Sequence, residues 1–116
     1  MKTKEFTKVP GLEPEDKVII KRLDYGEKQD VSDEATEISI INNKQSVNVK
    51  LGKTKIWMLI IGVIEAPFFK GLTTNEQKYN VVRGLSQETG DFLFLELNKI
   101  NAPTMDEETK KNLNSL

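Results

Sequence analysis

The chain has 116 residues, of which 37% are hydrophobic, and 17 basic and 18 acidic side chains give a net charge of −1. This length suits a single domain with its own core, and the balanced charge argues against an electrostatic nucleic-acid binder, which normally shows a basic patch. Cysteine and histidine are both absent. Their absence excludes disulfides and thiolate metal sites, and it removes the commonest general base.

The first sixteen residues are polar and include Pro10, Gly11 and Pro14, so we expect an irregular N-terminal arm at 1–16, with Phe6 and Val9 as tethers. The chain begins without the apolar core of a signal peptide. Its longest apolar run is about half of the roughly twenty residues that a membrane span needs. We therefore expect a cytosolic protein that makes no membrane contact, with a single globular domain at 17–103.

Residues 18–51 predict a strand, a helix and a hairpin in turn. Val18–Leu23 is a strand candidate, and Asp24 with Glu27 has the spacing of a capping box that opens a helix from Tyr25 to about Thr36. Its acidic residues are interpreted as a solvated face, because a metal loop needs converging ligands and a glycine turn. Residues 37–51 alternate around an Asn-rich break, which predicts a β-hairpin. We expect the first strand to join it, or a helix to cover it.

The most apolar stretch runs from Lys53 to Phe69, and the core is expected to form around it. It predicts a helix from near Thr54 to Ala66, stopped by Pro67 and buried nearly all round, with Trp57 in the core. Gly62 falls on its sparse polar strip. A central β-strand remains the alternative, because periodicity cannot separate the two for a short apolar run.

Three further helices follow. Thr73 and Thr74 precede Glu76 and Gln77 at capping-box spacing, and Gly84 helps to end the helix that they begin. Ser86 caps a helix to about Ile100, and residues 104–116 predict a short C-terminal helix and tail. The fold class is therefore α+β, with three to four helices and a small antiparallel sheet made of the N-terminal strand and the hairpin.

The long helix before residue 101 carries apolar side chains on two sides. Leu93 and Leu97 suit a core, whereas Phe92 and Leu95 project the other way. Either this helix is sandwiched between two layers of its own domain, or its second face meets a partner. The candidate partner-contact residues are Phe92, Leu95, Gly62, Phe68 and Phe69.

No catalytic, cofactor or metal site is indicated. The glycines are scattered rather than gathered in a phosphate-binding loop, and no histidine is present to activate a serine or threonine. We therefore expect a protein that is not an enzyme and that uses no cofactor.

The series Val18–Glu27, an apolar strand followed by Leu-Asp-Tyr-Gly-Glu, resembles the opening of siphophage tail assembly chaperones. The apolar run at 56–64, Pro67-Phe68, the L-S-x-E-x-x-D-x-L pattern at 85–93, and the closing residues 97–101 and 107–112 are also similar to that family. The resemblance covers about residues 17–112, and the hairpin departs from the family's mostly helical pattern.

The resemblance implies a non-catalytic role in the host cytoplasm. Such chaperones bind the tape measure protein during tail morphogenesis, keep its long helical chain soluble, help to recruit tail-tube protein, and leave before the virion is complete. Many are also made as a longer, frameshifted product, so this chain would be the short form. A homo-oligomer is a further expectation. The alternative is a structural virion or accessory protein, such as a connector or tail component, which acts through protein–protein contacts.

Overall fold

The computed structural model describes residues 2–102, and for residues 37–41 it describes the backbone alone. The fold is α+β, as the sequence predicts. The elements in chain order are β1 (Thr3–Phe6), β2 (Val18–Lys21), α1 (Tyr25–Ala35), β3 (Thr36–Ile41), β4 (Lys44–Val49), α2 (Leu51–Gly62), β5 (Val63–Glu65), a 3₁₀ turn (Pro67–Phe69), α3 (Asn75–Arg83) and α4 (Gln87–Asn101). The C-terminal helix predicted for 104–116 lies outside the described residues.

The sheet that contains β2 is not the one predicted. β2 lies between β1 and β5 in a three-stranded antiparallel sheet, and the β3–β4 hairpin forms a separate two-stranded sheet. β1 pairs with β2 from Thr3 opposite Lys21 to Phe6 opposite Val18. The prediction that the first strand joins the hairpin is therefore wrong, because the strands on either side of β2 come from segments that the sequence assigned to an arm and to a helix.

The N-terminal segment 1–16 is correspondingly not an irregular arm, because it contributes strand β1 and the buried residue Val9. Its loop is attached to α4, since the Thr89 hydroxyl donates to the Pro10 carbonyl at 2.6 Å. Gly11 adopts φ +83°, and a Cβ there would overlap the Thr89 hydroxyl. Phe6 and Val9 do tether this segment, as predicted, because Val9 lies in the core and Phe6 packs against the core.

The apolar run is divided between two kinds of structure. α2 begins at Leu51 and ends at Gly62, and Val63–Glu65 continues as β5, which pairs with β2 through Ile20 opposite Val63. The predicted helical end at Ala66 is wrong by four residues, because the β-branched residues after Gly62 complete the sheet instead. α2 is also less enclosed than expected: Leu59 and Ile60 are buried, whereas Trp57 is only half-buried.

The local predictions for α1 and the hairpin are confirmed. Asp24 accepts from the Glu27 amide at 2.8 Å, and Glu27 accepts from the Asp24 amide at 3.0 Å, which completes the capping box. Asn42 and Asn43 both have positive φ, 53° and 62°, as a two-residue hairpin turn requires. The Lys50 amide donates to the Ala35 carbonyl at 2.8 Å, so the hairpin grows directly from the adjacent ends of α1 and α2.

The core lies where α2 and α4 meet the inner face of the three-stranded sheet. Its most enclosed large side chains are Ile20, Leu93 and Leu97. Thr74 and Ser86 cap α3 and α4 as predicted. The end of α4 is fixed to the start of α1, because the Asn101 side chain accepts from the Leu23 amide at 2.7 Å.

Candidate functional site

Two of the five predicted partner-contact residues are inside the fold. Gly62 is buried, and a Cβ there would overlap a methyl of Leu97 and lie 3.3 Å from Leu23. Phe69 is 8% exposed and belongs to the core cluster. The prediction placed Gly62 on an outward polar strip because helical periodicity does not show that α4 packs on that side of α2. Neither residue is available to a partner.

The other three residues do not form one surface. Phe92 is half-buried, and its ring meets Phe6 of β1 edge-on with centroids 5.6 Å apart. Phe68 is half-buried beside Phe69. Leu95 alone is well exposed, at 53%. The sandwich alternative therefore holds for Phe92, which β1 covers, and of the two predicted residues on α4 only Leu95 remains exposed enough to be a candidate for partner contact.

The more convincing site is a groove between α1 and α3 with α2 at its base, which we call the α1–α3 groove. Its volume is about 340 Å³, and the residues that line it are Glu34, Lys53, Trp57, Glu76 and Tyr79. Trp57 comes from the central helix α2, yet it stays partly exposed because it faces the gap between the two flanking helices. A groove between helices is a common place for a partner helix to bind.

Local sequence chemistry positions the aromatic pair of the groove. Thr74 accepts from the Gln77 amide at 3.2 Å, which fixes the start of α3 and directs Tyr79 toward α2. The Trp57 and Tyr79 rings lie 6.0 Å apart at 40°, within the range in which aromatic rings attract each other. The Arg83 guanidinium lies 5.8 Å from the Tyr79 centroid and supports that ring from the next turn. The two rings therefore present a fixed apolar surface.

The rim of the groove is predominantly acidic. Glu34 on α1 and Glu76 on α3 are exposed on opposite walls, and Lys53 supplies the one basic group among the lining residues. Asp30 and Asp33 extend the negative charge along the exposed side of α1. An apolar base with acidic walls is complementary to a helix that carries an apolar stripe beside lysine or arginine.

A second depression, of about 470 Å³, lies beside β5, and its lining mixes charged residues with apolar ones: Glu15, Asp16, Lys17, Ile64, Glu65, Ala66, Pro67, Phe69 and Lys70. There the Lys17 ammonium lies 3.1 Å from Glu5 and 3.9 Å from Glu65, which links the two outer strands of the sheet. The hydrogen bond to Glu5 raises the pKa of Lys17 above its usual value. Because these charges already serve as sheet contacts, this depression is the weaker candidate.

The described residues show neither a metal-ligand cluster nor an unsatisfied buried polar group. Between 2 and 102, the structure places no three potential acidic ligands where they would hold a metal ion. Each buried polar side-chain atom in this part of the chain has a hydrogen-bond partner. The helices described here are also too short or too polar to span a bilayer.

In comparisons with known proteins, no protein-family model, curated protein or solved structure matches this chain. The groove was missed by sequence reasoning because its walls come from helices about forty residues apart. The available signal was Trp57 itself, a large side chain at the edge of the apolar stripe of α2, one helical turn from the charged residue Lys53.

Proposed function

We propose that this protein is a phage tail assembly chaperone that binds helical segments of the tape measure protein and holds them in the α1–α3 groove. The order of motifs along residues 17–112 supports the family, and the groove supports the mode of binding. The single observation that carries the proposal is the partly exposed Trp57–Tyr79 pair at the base of a groove between two helices. Host cytoplasm is the corresponding location, and recruitment of tail-tube protein is part of the proposed role.

A long helical chain with an apolar face needs a partner that keeps it soluble during assembly. An apolar side chain moved from water into the groove contributes about 1.5–3 kcal/mol, and a cationic group near Trp57 or Tyr79 adds about 0.5–1 kcal/mol. Several such contacts give reversible, micromolar binding. Reversible binding suits a protein that leaves before the virion is complete.

The test is co-expression with a phage tape measure protein, followed by pull-down. Glu34→Lys with Glu76→Lys reverses the charge of both walls, and we expect roughly a tenfold loss of affinity. Glu13→Lys with Glu88→Lys makes the same change in net charge at exposed sites away from the groove and should have little effect. Equal loss in both variants would exclude the groove.

Trp57 provides a direct readout because it is the only tryptophan. We expect its emission to shift to shorter wavelength and its quenching by acrylamide to fall when a tape measure segment binds, since the ring loses contact with water. Mass spectrometry of purified virions separates the alternative function. A chaperone should be absent from the particle, whereas a connector or tail component should be present in fixed copy number.

A further inference from the structure

The outer edge of the β-hairpin is an unusual surface. Val47 and Val49 are 62% and 63% exposed, and Leu51 just beyond them is 66% exposed. β3 and β4 pair only with each other among the described strands. A two-stranded hairpin is at best marginally stable in water by itself, and native sheets normally protect an exposed edge with charge, proline or a bulge. β4 begins at Lys44 and Lys50 follows it, but residues 45–49 between them contain neither a charged residue nor proline.

The hairpin register identifies which backbone groups are available. Ile41 opposite Lys44 closes the two-residue turn, and such a closing pair exchanges both hydrogen bonds. The Lys50 amide bonded to the Ala35 carbonyl continues the same alternation at the base. The N–H and C=O groups of Gln45, Val47 and Val49 therefore point away from β3, toward the free edge.

We propose that β4 pairs antiparallel with β4 of a second copy of this chain, with the two-fold axis at Asn48. In this register Val47 of each copy lies opposite Val49 of the other, which joins the two exposed valine pairs into one apolar cluster. About four new backbone hydrogen bonds form, and the two hairpins become one four-stranded sheet. The edge of one copy is therefore complementary to the same edge of another.

Charge selects this register over its nearest neighbour. With the axis at Val47, Lys50 would lie directly opposite Lys44 of the second copy, and like charges directly opposite each other destabilise a sheet. With the axis at Asn48, Lys50 lies opposite Ser46 instead. Because the chain has no acidic residue from 38 to 64 and four lysines in that range, the lysines of the two copies still repel at longer distance. Dimerisation should therefore strengthen as salt increases.

The contact is small, so we expect a dissociation constant on the order of 10 µM. The absence of native cysteine makes single-cysteine variants unambiguous. Asn48→Cys places the two thiols opposite each other at a non-hydrogen-bonded pair, where the Cα atoms are about 4.5 Å apart, within reach of a disulfide. Asn80→Cys, exposed on α3, is the matched control.

The experiment combines sedimentation of the full chain with mild oxidation of both cysteine variants. We expect a monomer–dimer equilibrium that tightens several-fold between 50 and 500 mM salt, fast disulfide dimerisation of Asn48→Cys, and slow dimerisation of Asn80→Cys. Val47→Lys should abolish the dimer while leaving the thermal midpoint of the monomer unchanged. A chain that stays monomeric at several hundred micromolar, or equal cross-linking of the two cysteine variants, would overturn the proposal.

Other occupants of the edge give different results. Preferential cross-linking of Val47→Cys would overturn the Asn48 register in favour of its neighbour. Loss of tape measure binding in Val47→Lys, without any dimer in the unmodified chain, would assign the edge to that partner and overturn self-association. Because the groove variants Glu34→Lys and Glu76→Lys leave β4 intact, failure of groove binding and failure of dimerisation are separate outcomes.

Discussion

Gly62 provides the sharpest test of the packing between α2 and α4. Alanine at this position adds one methyl, which would overlap the Leu97 side chain, and Leu97 has no exposed surface. Overpacking a core by one methyl costs about 1–3 kcal/mol, whereas replacing glycine within a helix gains at most about 1 kcal/mol. Because Gly62 is the last residue of α2, this gain is small. We expect a net loss of about 1–2 kcal/mol.

A thermal melt followed by circular dichroism measures this loss. For a chain of this length, 1 kcal/mol corresponds to about 4 °C, so Gly62→Ala should lower the midpoint by about 4–8 °C. Gly52→Ala is the matched control on the same helix, because a Cβ there has no neighbour within 4 Å. That variant should be neutral or slightly more stable.

A double-mutant cycle identifies Leu97 as the source of the cost. Leu97→Ala alone should lose about 2–5 kcal/mol, because it leaves a cavity. The same change removes the atoms that the new methyl would overlap. Adding Gly62→Ala to this variant should therefore cost nothing further, which gives a coupling energy of about 1–2 kcal/mol. An additive cycle, or an unchanged midpoint for Gly62→Ala, would refute the close approach of the two helices.

Four further substitutions test other contacts. Asn101→Ala removes the acceptor of a backbone amide at the start of α1 and should cost about 1–3 kcal/mol in chemical denaturation. Phe92→Asp should lower the free energy of unfolding by at least about 3 kcal/mol, because the ring packs against β1. Leu95→Asp should change that free energy by no more than about 0.5 kcal/mol. Equal losses in the two variants would contradict the observed difference in burial. Thr89→Val should release the loop held through its hydroxyl, so trypsin should cleave after Lys8 faster than in the unmodified chain, and an unchanged rate would remove the tether.

The sequence predicted well those features that depend on neighbouring residues. The Asp24–Glu27 box, the Asn42-Asn43 turn and the Thr74 cap each satisfy backbone groups within a few positions, so their residue types and spacing suffice. They set the helix starts and the hairpin to within about a residue. The α+β class followed from these elements in order.

Features that join distant segments were not predictable in the same way. The run at 56–64 satisfies both helical and strand preferences, and the position of its break depends on β2, which lies more than forty residues earlier. The inward position of Gly62 depends on Leu97, and the exposure of Trp57 depends on the gap between α1 and α3. Periodicity assigns residues to a face, but only the packed neighbours decide whether that face is covered.

The contacts of α4 determine when the fold can be completed during synthesis. Thr89 bonds to Pro10 across 79 positions and Asn101 bonds to Leu23 across 78, whereas α1 and α2 meet through a short hairpin. A ribosome therefore releases the paired helices α1 and α2 well before the helix that covers their apolar side. During that interval the core cluster that contains Leu59 and Ile60 lacks its members from α4, and contacts so distant in sequence form late. α4, the last of the described helices to be synthesised, thus joins both the N-terminal loop and the start of α1 to the finished core.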